Sequence, residues 1–260
     1  MRVLAIGAHP DDVEIMCSGT LSALHQLGHE VHVASLTSGD CGSVELSKEE
    51  IRTIRHREAV KACEVLDATY HYAGFDDLCI FNDDHSNRCV TALVRKVDPS
   101  IIVTHSPNDY MSDHEMTSLL VRNASFYAPI RNYETKNSSI GPTLNIPYLY
   151  YAPPIEGIDI FGKRVTPEFY VDISGLIGRK LEMLACHESQ RDWLRAHHHM
   201  DEYIESVRRF NNSLGQRAST IAGREITYAE AFRQHRGHSY PGDNLIATYL
   251  RASVVIEPSY

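Results

Sequence analysis

No two of the six cysteines stand in a C-x-x-C pair, so a structural zinc knuckle is not expected. Cys17, Cys41, Cys63, Cys79, Cys89 and Cys186 read instead as reduced cytosolic thiols, several in apolar patterns where a free cysteine acts as a small hydrophobe. No Lys/Arg-rich block occurs, and the formal net charge is -9. A nucleic-acid partner and a basic membrane-surface patch are therefore not expected, because phosphate neutralisation needs a basic surface. No apolar run approaches the length of a membrane-spanning helix, so no membrane insertion is expected, and Met1–Ile6 is too short for the core of a secretory leader. Two catalytic fingerprints are missing as well. There is no G-x-S-x-G nucleophile elbow, and the turn at Gly7-Ala8-His9 lacks the G-x-G-x-x-G of a dinucleotide site. What remains is a cytoplasmic globular chain of 260 residues, 43% hydrophobic and 23% charged, long enough for one full core.

Apolar runs and helical patterns alternate along the first half. Val3–Ala8, Glu30–Thr37, Thr69–Phe75 and Ile101–Thr104 read as strands. Between them lie a helix through Thr20–Leu27 stopped by Gly28, and another over Lys48–Leu66. The second is opened by a Ser47/Glu50 capping box. His85–Val97 and Glu115–Phe126 complete the helices of this half. The rhythm predicts a doubly wound, Rossmann-like, mostly parallel α/β sheet with helices on both faces. The whole of 1–260 is expected to be a single domain, with a parallel core over about 1–126 and a lid and C-terminal helical/strand extension over about 127–260. The polar, Gly/Pro-punctuated segment Tyr127–Pro147 reads as a long loop or lid. Beyond it, strands are expected at Tyr148–Tyr151, Phe169–Ile173 and Thr248–Ile256. Helices are expected at Leu176–Leu184, Leu194–Phe210 and Tyr228–Arg233.

Chemistry concentrates in two clusters. Ala8-His9-Pro10-Asp11-Asp12-Val13-Glu14 lies where the first strand meets the first helix. In an open α/β sheet, sites form at the carboxyl ends of strands. Asp11 or Asp12 could cap the helix, but capping explains neither His9 nor the second cluster, Thr104 to Glu115, which follows the fourth strand and reaches the same edge. A catalytic zinc takes three protein ligands and leaves one position open. One His and one Asp from the first cluster plus one His from the second make such a set. Spacing alone leaves His105 and His114 both eligible.

The Ala8–Glu14 motif resembles the signature of the PIG-L/LmbE-like zinc-dependent N-deacetylases. Arg55-His56-Arg57-Glu58-Ala59, Val171-Asp172-Ile173-Ser174 with Lys180-Leu181, His187-Glu188-Ser189-Gln190 and Ala229-Glu230-Ala231-Phe232 resemble later family segments, in the family's order. The resemblance implies His9, Asp12 and His114 as ligands of one zinc ion per chain, and Asp11 as catalytic base. Other divalent transition metals suit the same ligands. It places Asp113 beside the metal and Arg55 or Arg57 near the substrate. It implies a hydrolase that removes an N-acetyl group from a small amino-sugar-type substrate, and a homo-oligomer. A different zinc amidohydrolase acting on a larger amide or thiol conjugate, or a non-enzymatic metal-dependent carbohydrate-binding protein, would use the same scaffold. The chain departs from the family at Met111-Ser112-Asp113-His114, where members commonly have His-Pro-Asp-His. A thioether cannot donate the hydrogen bond that a histidine would give the tetrahedral intermediate. His105, His187 and Tyr110 are the candidates to take over. His197-His198-His199 looks like a metal tract, but its polar helical surroundings favour a solvated face.

Overall fold

The computed structural model describes residues 1–135, 140–198 and 203–258. Strands β1 (Arg2–Gly7), β2 (Glu30–Thr37), β3 (Thr69–Phe75), β4 (Ile101–Thr104) and β5 (Tyr148–Tyr151) pair in parallel, in the spatial order β3-β2-β1-β4-β5. Alternate residues of these strands enter two cores. Val3, Ala5, Val31, Val33 and Val103 pack with α2 (Ser18–Gln26), α3 (Lys48–Val65) and α6 (Ile177–Ala185). Leu4, Ile6, Ala34, Leu36 and Ile102 pack with α4 (Asp84–Val97) and α5 (Ser112–Tyr127) on the other face. Burial on both sides is why β1 and β4 read as nearly unbroken apolar runs rather than alternating ones. The expected capping box is present: Ser47 Oγ accepts from Glu50 N, and Glu50 reaches back to Ser47 N.

The C-terminal region is less regular than its sequence pattern predicts. Strands β6 (Phe169–Asp172), β7 (Ala229–Gln234) and β8 (Val254–Ile256) continue the same sheet as antiparallel strands, in the order β5-β7-β6-β8. The segment Ala229–Phe232, expected to be helical, is therefore part of β7. Ala and Glu favour helix intrinsically. Here pairing with β6, and burial of all four residues, overrides that preference. The expected strand Thr248–Ile256 is also corrected. Its start belongs to α9 (Leu245–Tyr249), capped by Asn244, and to a 3-10 turn at Arg251–Ser253. Leu194–Phe210 is divided between α7 (Glu188–His198) and α8 (Tyr203–Ala222). The side chains of the His197–His199 tract lie outside the described residues. The described part of the 127–147 loop runs along α4: Arg95 donates to the carbonyls of Ala128 and Ile130, and the Arg88 guanidinium sits 5.0 Å over the Tyr133 ring.

The first crossover is interrupted. A short α1 (Asp12–Met16) ends at Cys17, whose φ of -153° and ψ of 9° are not helical, before α2 begins. A buried ion pair braces this break. Glu230 of β7 accepts from Gly19 N at 2.9 Å and Thr20 N at 2.7 Å, serving the free amides at the start of α2. Lys180 of α6 donates to Glu230 at 2.6 Å and to the Ile15 carbonyl at 2.8 Å. The two late motifs containing Lys180 and Glu230 thus meet behind the first one and fix where it points.

Candidate metal and water-activating site

The strand order reverses direction between β1 and β4, so the loops after these strands part and leave a crevice at their carboxyl ends. His9 and Asp12 come from the loop after β1, and His114 from the first turn of α5. Gly7 makes room: a Cβ there would lie 2.6 Å from that of Asp12. Asp12 Oδ2 accepts from His9 N at 2.7 Å, which locks the turn. Asp12 presents Oδ2 to His9 Nδ1 at 3.4 Å and Oδ1 to His114 Nε2 at 3.5 Å. Each of these three buried side chains offers one ligand atom within 4.8 Å of the other two, a grouping that could hold one divalent cation. A second possible ligand grouping, His105 with Asp109 and His114, overlaps the first at His114.

The far nitrogens of both imidazoles meet carboxylates. His114 Nδ1 lies 2.9 Å from Asp109 Oδ1, which places the proton on Nδ1 and leaves Nε2 with its lone pair facing Asp12. His9 Nε2 lies 3.0 Å from Asp77 Oδ1 and 3.4 Å from Asp113 Oδ2. Both carboxylates are pinned by backbone amides: Leu78 N, in the loop after β3, donates to each, and Cys41 N, in the loop after β2, donates to Asp77. Burial alone would lower the His114 pKa, but Asp12 and Asp109 outweigh it and raise it to about 9. His9 is likewise raised, against burial, by Asp113, Asp12 and Asp77. Burial works to raise the Asp12 carboxyl, yet His114 and His105 hold it well below the usual range.

His105 stacks on His114 with ring centroids 4.0 Å apart. Its Nε2 accepts from Ala8 N at 3.0 Å and also lies 3.0 Å from Asp12 Oδ2. A nitrogen engaged by a backbone N–H has no lone pair left for a metal, so the two histidines that spacing left equivalent differ in geometry. Tyr110 is exposed, its ring edge-on to His114 at 5.4 Å. Met111 is the half-buried residue preceding α5, and makes no side-chain cap.

Asp11 faces a different environment from Asp12. It heads α1 with a φ of 99°, a left-handed conformation costing about 1–3 kcal/mol for a residue with a side chain. Its side chain makes no cap hydrogen bond, so helix capping does not explain it. Tyr203 of α8 donates to Asp11 Oδ2, and Arg55 of α3 lies 3.4 Å from Oδ1 while donating to the Pro10 carbonyl at 2.7 Å. Burial raises the Asp11 carboxyl pKa, with Arg55 opposing and Asp12 reinforcing. Of the two arginines that the sequence left equivalent, Arg55 is buried here and Arg57 is exposed. His187 is buried with Nε2 3.3 Å from Glu14 Oε1, on the Asp11 side of the loop. Above the ligand cluster lies a narrow cleft. Ile155, Phe210, Asn211 and Leu214 line it as well, and none of its described lining comes from 127–147. Asp77, Tyr203 and Asn211 went unread in the sequence. Asp77 follows β3 at the site edge and was findable by that logic, whereas the two α8 residues carry no local signal.

Fold and site together define a doubly wound α/β protein with a buried His/Asp cluster at its switch point that could hold a metal ion. Residues 4–125 match the PIG-L family model, described as GlcNAc-PI de-N-acetylase. Among curated proteins it is 23% identical to the 4-oxalmesaconate hydratase of Pseudomonas putida over 88% of this chain and 87% of that protein. It is 26% identical to the diacetylchitobiose deacetylase of Thermococcus kodakarensis over 73% of this chain and 70% of that one. Among solved structures, the 4-carboxy-2-hydroxymuconate hydratase of Pseudomonas putida KT2440 superposes with a TM-score of 0.77 at 21% identity, covering 94% of this chain and 99% of that one. No helix among the described residues is long and apolar enough to cross a membrane.

Proposed function

We propose that the chain is a zinc hydrolase that removes an N-acetyl group from a small amino-sugar-type substrate in the cytoplasm. The observation that carries this reading is the His9–Asp12–His114 cluster, whose ligand atoms lie within 4.8 Å of one another and which is backed by Asp109, Asp77 and Asp113. A divalent cation on these ligands would polarise a carbonyl and lower the pKa of water to about 7. The remaining work falls to the chain. Asp109 holds His114 in the tautomer that ligates. Asp11 is the proton acceptor: burial and neighbouring Asp12 raise its basicity, while Tyr203 and Arg55 fix its orientation. After attack, the same carboxyl returns the proton to the leaving amine. The free thiols of all six cysteines fit a reducing compartment.

A second reading has its own support. A hydratase is the relative that aligns over 88% of this chain, and Met111 replaces the histidine expected to serve an amide's tetrahedral intermediate. The same ligands and base would then add water to an unsaturated acid. Zinc-loaded protein should be assayed for amine release from a panel of N-acetylated amino sugars, and for loss of ultraviolet absorbance of conjugated oxo-dicarboxylic acids. Amine release without absorbance loss supports the hydrolase. The reverse pattern overturns it in favour of the hydratase.

A further inference from the structure

A larger space lies next to the narrow cleft. The cleft at the ligand cluster offers about 20 Å³, room for about one water. The neighbouring cavity offers about 270 Å³. Pro153 lines both, and His105 of the first is followed in the chain by Ser106 and Pro107 of the second. The end of β7 completes the cavity, where Arg233 stands opposite Tyr151 of β5. Its charges are unbalanced. Arg233 is exposed, and its guanidinium has no partner among the described residues. Arg236 donates to the Gly242 carbonyl and lies 3.7 Å from Glu168. Glu168, the one carboxylate among the described lining residues, also accepts from Gln234 N at 3.1 Å. His235 Nδ1 meets the Tyr151 hydroxyl at 2.9 Å, and burial with Arg122 nearby lowers its pKa, so it stays neutral. Two guanidiniums thus face one carboxylate, on a chain whose net charge is -9. Ser106 is buried, and its hydroxyl accepts from Asn108 N at 3.4 Å, which leaves its own hydrogen to give.

The narrow cleft cannot hold a whole sugar, so a substrate that reacts at the ligand cluster must place its bulk beside it. An unpaired guanidinium offers that bulk a partner of one sign. Its planar fork of N–H donors matches the two oxygens of a carboxylate. We propose, resting on the hydrolase reading above, that this cavity receives a carboxylate-bearing substituent of the substrate. Arg233 pairs with the carboxylate, and Ser106 donates its hydroxyl hydrogen to the same group. Glu168 does not repel it, because Arg236 and Gln234 N already hold that carboxyl. The substrate is then an acidic N-acetyl amino sugar rather than a neutral one. Selection falls to the cavity, and the chemistry stays with the ligand cluster and Asp11.

The test compares N-acetylmuramic acid with its methyl ester, two sugars of nearly equal bulk that differ in one negative charge. Affinity of the full-length, metal-free protein for each is measured by calorimetry, and amine release from each is followed with zinc loaded. The quantity read is the ratio of acid to ester. The parent should favour the acid by about fivefold or more, the size of one partly exposed ion pair. Arg233→Gln should bring the ratio to about one, whereas Arg233→Lys, which keeps the charge, should retain most of it. High salt should shrink the parent's ratio, because it screens an exposed pair. Lys96→Gln, which removes an exposed charge at the end of α4, should leave the ratio in place. A parent without preference for the acid, or a ratio that falls by less than half in Arg233→Gln, overturns the assignment. Amine release by that parent would leave the hydrolase reading standing. Conversely, a preference in binding that depends on Arg233, with no amine released from any N-acetylated sugar, overturns the hydrolase reading and keeps the assignment. A parent that neither binds nor hydrolyses either sugar overturns both.

Discussion

Two groups of histidines sit at opposite ends of the sheet, the first buried and the second partly so. At the carboxyl ends of β1 and β4, His9, His105 and His114 are gathered among Asp12, Asp77, Asp109 and Asp113. In the amino-terminal half of β2, His32 meets His71 of β3, Nδ1 to Nε2 at 3.0 Å, with only the exposed Glu30 carboxylate nearby. Both groups bring imidazoles into contact, so proximity does not distinguish them. Carboxylates do. Where buried acids surround the rings, His9 and His114 are raised above their ordinary pKa, while His105 between them is lowered by its burial and by His114. Where they are lacking, burial wins: His32 is lowered, and His71 falls to about 4. A cluster built to attract positive charge suits a cation, and one that repels it suits only neutral packing.

The largest effect that could break this contrast is loss of the ion. His114→Ala should leave the protein without stoichiometric metal by elemental analysis, while His71→Ala should not alter metal content. His105→Ala should retain metal, because its Nε2 is already occupied by Ala8 N. Metal lost from His105→Ala but kept by His114→Ala would transfer the third ligand to His105 and undo the assignment. Next in size is Asp11→Asn, which preserves shape and removes the proton acceptor. Turnover should drop about 10²–10⁴-fold with metal retained; a drop of only a few-fold removes Asp11 from the mechanism. Asp109→Asn is expected to be milder. Removing the carboxylate behind a ligating histidine weakens metal affinity about 10–100-fold, measurable by competition with a chelator, and an unchanged affinity would mean that Asp109 does not orient His114.

The contrast also shows how far the sequence could be read. Strands β1 and β4 and both site loops were legible because a parallel strand buried on two faces is a nearly continuous apolar run. His9, Asp11 and Asp12 were legible because three chemically active groups in four residues have no packing role. The Ala229–Phe232 segment was misread because its small and acidic residues favour helix locally, and only the distant partner β6 makes it a strand. Glu230 looked like one more helical acid, yet it caps α2 from more than two hundred residues away. Tyr203 and Asn211 were illegible for a related reason: on a helix both fit an ordinary amphipathic pattern, and only the packing of α8 across the crevice turns them toward Asp11 and the cleft.

The smallest expected effect concerns the pair without carboxylates. The folded protein holds His71 near 4, whereas an unfolded chain would hold it near 6.5. Between those values the unfolded state binds the extra proton, so stability must rise with pH across that window and fall as pH drops from about 6.5 towards 4. His71 is part-exposed, so solvent screening reduces the loss to about 1 kcal/mol. His71→Gln keeps a hydrogen-bonding side chain without a titrating ring. Urea denaturation of metal-free parent and variant at pH 5 and pH 7 isolates the term, because the metal cluster is common to both proteins. The parent should lose about 1 kcal/mol more than the variant between pH 7 and pH 5. Identical losses would show that this pair is not held neutral by its burial. The difference between the two histidine groups would then lie in geometry alone, not in the acids that surround one and spare the other.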